Sequence, residues 1–303
     1  MDKVLVTGGN GWIGRYVVPI LLELGYEVHA TYRRTPLLHI PCTWHQADLL
    51  RTEEAEELMM KVKPARLLHL AWEAVPPECY RAPANYAWVK ASMGLIESFA
   101  GYGGQRVVVA GTCAEYRWAN GYLSESSTPL TYATPYAACK NRFRSWLDSY
   151  SADTGLSWGW GRIFHLYGPH DPGNRLISAI IYSLLSKEEV RCTHGNQYRD
   201  FLHAADAADA LVRLLLSDVE GTVNIASGES VQVKKLAALI EDSIGEQGRI
   251  RFGAIPFPKG EPLFVGAHTG RLRRELCWQP KFTLEEGLEA TIAWWRKHPG
   301  LSK

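Results

Sequence analysis

No uninterrupted apolar run in the 303 residues approaches the ~18 that a membrane-spanning helix needs, and no Cys-x-x-Cys or His-x-x-x-His pair is present. The first absence argues against a helical membrane protein, and the second against a zinc site. Six cysteines, Cys42, Cys79, Cys113, Cys139, Cys192 and Cys277, are scattered without ligand or framework spacing. They read as free thiols, mainly buried. The chain also lacks an excess of either charge, with 33 Lys and Arg against 32 Asp and Glu and a net charge of +1. No basic stripe invites nucleic acid, which is therefore not an expected partner. Nothing at the N-terminus has the charged, apolar and small-residue order of a signal peptide, so the expected location is cytoplasmic. Internal repeats and low-complexity tracts are missing too.

What is present is an apolar fraction of 46%, enough for a sizeable core in one large domain or two modest ones. Up to about residue 170, strand-like apolar runs at 3–7, 27–32, 43–46, 66–70, 106–110 and 159–164 alternate with amphipathic stretches at 11–24, 52–61, 85–102 and 135–154. That alternation is the pattern of a parallel sheet wound by helices on both faces. Later the rhythm loosens, with helices expected at 176–185, 206–216, 233–244 and 284–295 and a strand at 222–225. The expected fold is α/β, a Rossmann-type doubly wound parallel sheet with a smaller mixed α/β C-terminal region that binds substrate. Residues 1–170 would form the first part and 171–303 the second, with some elements of the second returning to the first.

Two local patterns carry chemistry. Thr7-Gly8-Gly9-Asn10-Gly11-Trp12-Ile13-Gly14 follows the apolar run Val4-Leu5-Val6 and opens a helical stretch. Glycines there let a backbone approach a pyrophosphate, and the helix N-terminus offers N–H groups and a positive dipole end. Gly8, Gly11, Trp12, Ile13 and Gly14 are therefore candidate dinucleotide contacts. Further along, Tyr136 and Lys140 stand four apart after Pro135, which places both on one face if the proline starts a helix. An ammonium beside a phenol lowers the phenol pKa and makes it a proton donor or acceptor near neutrality.

With both patterns in place, residues 1 to about 290 resemble the extended short-chain dehydrogenase/reductase family, the nucleotide-sugar epimerases, dehydratases and reductases. The resemblance implies a nicotinamide cofactor on the glycine turn and a catalytic Tyr136–Lys140 pair. It puts Thr112, in Ala110-Gly111-Thr112-Cys113-Ala114-Glu115-Tyr116, at the hydroxyl that orients the substrate carbonyl. Asp48-Leu49 resembles the adenine contact, and His69-Leu70-Ala71 the strand end beside the cofactor. Arg162 to Pro169 and Arg199-Asp200-Phe201-Leu202-His203 with Asp206 match later signatures in order. Arg199 is the first candidate for the nucleotide diphosphate, with Arg175 and Arg271 behind it. His165 stands where the family usually has an asparagine that reaches the diphosphate. The resemblance also implies a homodimer through the helices at 85–102 and 135–154, where Ala87, Ala91, Ala137 and Ala138 are small enough for close packing.

Three departures narrow the reading. Where NAD-preferring members carry an acid for the ribose 2′-hydroxyl, this chain has Tyr32-Arg33-Arg34. Guanidiniums suit a 2′-phosphate, so NADP(H) is the expected cofactor, with Arg33 ahead of Arg34. Sugar dehydratases place a Glu two residues before the second-segment tyrosine, whereas Glu115 here is displaced by one position and would face away from substrate unless a bulge redirects it. Combined reduction and epimerisation needs a Cys and a His, but Cys113 is one place off and Arg175 stands at the His position, where a guanidinium cannot act as base. What remains is an NADPH-dependent reduction of a nucleotide-linked 4-keto-6-deoxyhexose, with a nucleotide-sugar 4-epimerase as the alternative. Thr112, Cys113, His165, Arg175, Arg199 and Arg271 are the substrate-side candidates.

Overall fold

The computed structural model describes residues 2–173 and 175–298. The first part runs β1 (Lys3–Thr7), α1 (Gly14–Glu23), β2 (Glu27–Tyr32), β3 (Thr43–Gln46), α2 (Thr52–Val62), β4 (Arg66–His69), α3 (Ala84–Gly101), β5 (Arg106–Thr112), β6 (Gly121–Leu123), α4 (Pro135–Thr154) and β7 (Ser157–Ile163). The rest follows as β8 (His165–Tyr167), α5 (Leu176–Leu185), β9 (Val190–Arg191), β10 (Tyr198–His203), α6 (Ala204–Leu216), β11 (Gly221–Ile225), β12 (Ser230–Gln232), α7 (Val233–Ile244), β13 (Ile250–Arg251), β14 (Phe264–Ala267), α8 (Gly270–Arg274) and α9 (Leu284–Lys297).

Seven strands make one parallel sheet in the order β11-β7-β5-β4-β1-β2-β3. The central residues of β1, β4 and β5 are buried on both sides, which is why these strands read as nearly continuous apolar runs, whereas β3 is a polar edge strand. Val17, Val18 and Leu21 of α1 pack with the alanine-rich α6 on one face, and α2, α3 and α4 close the other around Met59, Phe99 and Phe143. This is the doubly wound Rossmann-type architecture expected from the alternation of elements. β11 enters that sheet from the later part of the chain beside β7. A second sheet, β12-β10-β14-β6 with β8 on β10, stands over its carboxyl edge. Behind it, α5, α7 and α9 enclose a separate core of Leu184, Leu236, Ile240, Ile292 and Trp295.

The chain reverses direction across the sheet between β1 and β4, and such a switch point leaves a crevice at the strands' carboxyl ends. Gly8, at φ +68°, turns the chain there, and a Cβ on it would stand 3.0 Å from the Ala71 nitrogen after β4. Gly14 is more constrained, since a Cβ would fall 2.4 Å from the Gly8 carbonyl oxygen.

Of the small residues considered for a subunit contact, Ala137 and Ala138 are buried inside the subunit. They pack α4 within the chain, and so are corrected from surface to core; Ala87 is exposed and Ala91 half-buried.

One polar cluster sits inside this apolar frame. The Glu115 carboxylate, fully buried, pairs with Arg162 Nε at 2.6 Å, accepts from Trp160 Nε1 at 3.0 Å and takes the Thr112 backbone N–H at 2.8 Å. Breaking a buried pair leaves a charge without compensation. Glu115→Ala is expected to lower unfolding free energy by about 3–5 kcal/mol in urea titration, with Glu115→Gln losing less because it keeps acceptors for Trp160 and Thr112.

Candidate active site

The crevice at the switch point opens into a cavity of about 670 Å³ bounded below by the carboxyl ends of β1, β2, β4 and β5 and above by β8 and the start of α5. Gly8, Gly11, Trp12, Ile13 and Gly14 all line it. No side chain caps the N-terminus of α1, so that end keeps its capacity for an anion. The turn is also braced from the far side, because Trp12 Nε1 and the Tyr16 hydroxyl both donate to the Pro169 carbonyl, at 2.8 and 3.0 Å. Asp48, Leu49, Leu70 and Ala71 stand on the same wall. A dinucleotide fits this arrangement: the close-approach glycines would admit its pyrophosphate, and the strand ends would flank its two nucleoside halves.

Arg33 lines the cavity and pairs with Glu73 at 3.2 Å, both partners being about half exposed. Arg34 does not reach the wall and lies exposed on the surface. Of the expected arginine pair, one member is therefore in place and the other is corrected to a surface residue, since the chain turns away after Arg33.

Pro135 occupies the first turn of α4, and the Thr134 hydroxyl caps it by accepting the Ala137 N–H. That start presents Tyr136 and Lys140 to the cavity on one face, with Thr112 opposite at the end of β5. The neighbouring Thr112 hydroxyl alone favours the Tyr136 phenolate. Burial outweighs it and pushes the Tyr136 pKa well above its ordinary value, helped by the neighbouring Cys79 and Glu115. The expected lowering by Lys140 is thus corrected. The ammonium is turned to the sheet, with Nζ donating to the Ala110 carbonyl at 2.9 Å, and its own pKa falls to about 7 through burial.

Glu115 is not on the wall: its short turn, Cys113–Glu115, directs the carboxylate inward to Arg162. The two carboxylates that do line the cavity, Asp48 and Glu73, stand near Arg33. Cys113 lines the cavity as a buried thiol whose pKa is pushed to about 12 by desolvation. His165 also faces it, with burial lowering its pKa to about 4, so its ring is neutral. Arg175 lines the rim, held by Asp171 at 3.2 Å, with its guanidinium carbon 4.6 Å from the centre of the Trp12 ring.

Two other arginines are placed elsewhere. Arg199 is buried, its guanidinium paired with Glu261 and not with neighbouring Asp200. It is corrected from the cavity to a position behind it. Arg271 ties α8 to β11 through the Thr222 carbonyl at 2.6 Å and pairs with Glu275, so it too is corrected to a structural contact. Asp200 instead accepts from Ser227 and Gly228, fastening the loop after β11.

Several wall residues escaped the sequence reading: Trp72, Cys79, Tyr80, Trp118 and Phe201. Tyr80 lies edge-on to Tyr136 with ring centres 6.0 Å apart. Cys79 and Tyr80 belong to a short helical turn after Pro76-Pro77, a segment whose proline pair was the one available signal.

Comparison with known proteins fits this geometry. A model of the NAD dependent epimerase/dehydratase family matches residues 4–226, and the chain belongs to that family. It is accordingly an enzyme of NAD-dependent oxidoreductase type. Among relatives, the UDP-glucose 4-epimerase of Azospirillum brasilense is 26% identical over 97% of this chain and 92% of its own. The CDP-abequose synthase of Salmonella typhimurium is 25% identical over 96% of this chain and 97% of its own. In structure, the Thermus thermophilus UDP-glucose 4-epimerase in complex with NAD superposes with a TM-score of 0.85 at 25% identity, covering 97% of this chain and 99% of that one.

Burial of neutral imidazoles has a consequence for stability. His69, His165 and His203 carry pKa values lowered to about 3, 4 and 4 by desolvation, whereas the unfolded chain protonates them near 6.5. Below pH 6.5 the unfolded state therefore binds more protons, and stability present above that pH is lost as pH falls toward 4. Thermal midpoints measured from pH 7.5 to 4.5 should fall on the acid side; a midpoint independent of pH there would contradict neutral burial.

Proposed function

We propose that the protein reduces the 4-keto group of a nucleotide-linked 4-keto-6-deoxyhexose with NADPH. The observation that carries this reading is the composition of the wall around Tyr136. Thr112 and Tyr136 both present hydroxyls to the cavity there, and Glu115, on the turn that follows Thr112, is withdrawn into its pair with Arg162. Cys113 stays a thiol and His165 a neutral ring. Among the described residues, the carboxylates on the cavity wall, Asp48 and Glu73, stand at the Arg33 end, so dehydration has no carboxylate beside Tyr136, and epimerisation at carbons 3 and 5 would depend on a thiol held protonated and a neutral ring.

The nicotinamide supplies hydride when bound. Gly8, Gly11, Trp12, Ile13 and Gly14 would hold the pyrophosphate, Asp48 and Leu49 the adenine, and Leu70, Ala71 and Lys140 the nicotinamide half. Thr112 orients the keto oxygen, and Tyr136 delivers the proton that the developing alkoxide takes up. A high phenol pKa suits a donor, which must hold its proton until negative charge appears. For the diphosphate, Arg175 takes the place first given to Arg199, since it is the one on the rim and a guanidinium matches phosphate geometry. Arg33 supports NADPH over NADH, because it borders the cavity beside Asp48.

A second reading, a 4-epimerase that oxidises and returns hydride, is favoured by the Arg33–Glu73 pair, which offsets the charge a 2′-phosphate would meet. Both readings use the same residues. NADPH and NADH oxidation with dTDP-, CDP-, GDP- and UDP-linked 4-keto-6-deoxy sugars separates them. Stoichiometric oxidation, faster with NADPH, is the expected result; conversion of a nucleotide sugar to its 4-epimer without net oxidation would establish the epimerase. Tyr136→Phe should lower kcat by ~10²–10⁴-fold, and unchanged turnover would sink either version.

We further propose a homodimer through the outer faces of α3 and α4, where Tyr86 is exposed and Trp146 stacks on Tyr150 with centres 4.9 Å apart. Sedimentation at micromolar concentration should give twice the chain mass, and a monomer there removes the proposal.

A further inference from the structure

Lys140 is a buried ammonium that pairs with no carboxylate among the described residues. Its charged and titratable neighbours are Glu115, from the turn after β5, His69, from the end of β4, and Tyr136 on its own helix. Glu115 is committed to Arg162. His69 is neutral, bridging the Thr7 hydroxyl at 2.8 Å and the Ser92 hydroxyl at 2.9 Å. What Nζ touches instead is the Ala110 carbonyl oxygen at 2.9 Å and the face of Trp72, whose ring centre is 3.8 Å away. Trp160 stands at 6.0 Å.

Trp72 is built to stay there. Its indole N–H donates to Asn85 Oδ1 at 2.9 Å, and Asn85 is fixed in turn by donating to the Cys79 and Ala82 carbonyls, both at 2.8 Å. The ring also lies nearly parallel to Trp88, with centres 6.0 Å apart at 27°, and to Phe143, 6.3 Å apart at 21°. The indole N–H is thus occupied, two aromatic rings pack against the indole, and the ammonium sits over its π system.

We propose that Trp72 is a positioning residue for Lys140, its indole face standing in for the missing carboxylate. An ammonium has three N–H groups. One is spent on Ala110, one is received by the π face, and the third is left for the cavity, which Lys140 lines. An aromatic face attracts a desolvated cation without accepting its proton or forming a competing ion pair. A carboxylate in this position would hold Nζ more strongly and would also bring a second acid-base group beside Tyr136. The role rests on the reading of Lys140 as a cofactor contact that must be charged.

The test compares Trp72→Phe with the same position carrying pentafluorophenylalanine, two rings of nearly one shape and opposite quadrupole, so that packing is held constant. Removing the π attraction disfavours the ammonium, lowering the Lys140 pKa and moving the basic limb of the kcat/KM profile to lower pH. The phenyl variant should keep that limb within a few tenths of a unit, and the fluorinated ring should shift it down by about one unit. A lysine side-chain nitrogen NMR titration, with Lys140 assigned as the resonance lost in Lys140→Arg, should show the same displacement without substrate. Identical titrations for the two rings would overturn the proposal. A displaced NMR titration with an unmoved kinetic limb would uphold the Trp72 contact and overturn the need for a charged Lys140 in turnover.

Discussion

The Glu115 carboxylate is the constraint on which the site geometry depends. Its oxygens gather the end of β5 through the Thr112 N–H, and β7 through Trp160 and Arg162. Its backbone carbonyl accepts from Asn141 on α4 at 2.9 Å and from the Thr131 N–H at 2.8 Å. One residue therefore registers the strand that carries Thr112 against the helix that carries Tyr136 and Lys140. The energetic logic follows from burial: a carboxylate taken out of water is tolerable only when its acceptor capacity is filled and a cation faces it. Once those partners are required, the backbone segments bearing them have little freedom to slide.

Around that anchor the cavity is kept almost free of mobile charge. Tyr136 is held protonated by burial and the Lys140 pKa is lowered to about 7, while His69 and His165 remain uncharged. Fixed cations are confined to the edges, Arg175 at the rim and Arg33 at the far end. A low-dielectric centre with charged edges strengthens whatever electrostatic change a reaction brings. It also means that the properties of Tyr136 and Lys140 belong to their environment more than to each other, since Nζ is engaged by Ala110 and Trp72.

The centre of the sheet was legible in the sequence because burial on both faces leaves a nearly unbroken apolar signature, as at Lys3–Thr7, and the helix at Pro135–Thr154 has the bounds that its capping suggests. The glycine turn was legible for a steric reason, since no side chain fits at Gly14. The second sheet was not. β6, β8 and β12 have three residues each, too few for a period to show, and they gain their pairing from strands distant in sequence. Partners across long separations were hidden in the same way. Arg199 read as a diphosphate contact, but its guanidinium is taken by Glu261, a carboxylate far along the chain that no local pattern points to. Glu115 read as a misplaced acid because local spacing cannot reveal that Arg162 waits on β7.

Trp72 shows how a residue outside every motif can matter to one inside. It follows the Leu70-Ala71 strand end by a single residue, yet its position is set by Asn85 and by two rings from α3 and α4. The helix that brings Tyr136 and Lys140 to the cavity, α4, thus joins α3 in fixing the surface against which Lys140 rests. Side chains that belong to the packing of the scaffold thereby determine the direction of an ammonium in the site, and a substitution among them would be felt in proton chemistry before it was felt in the fold.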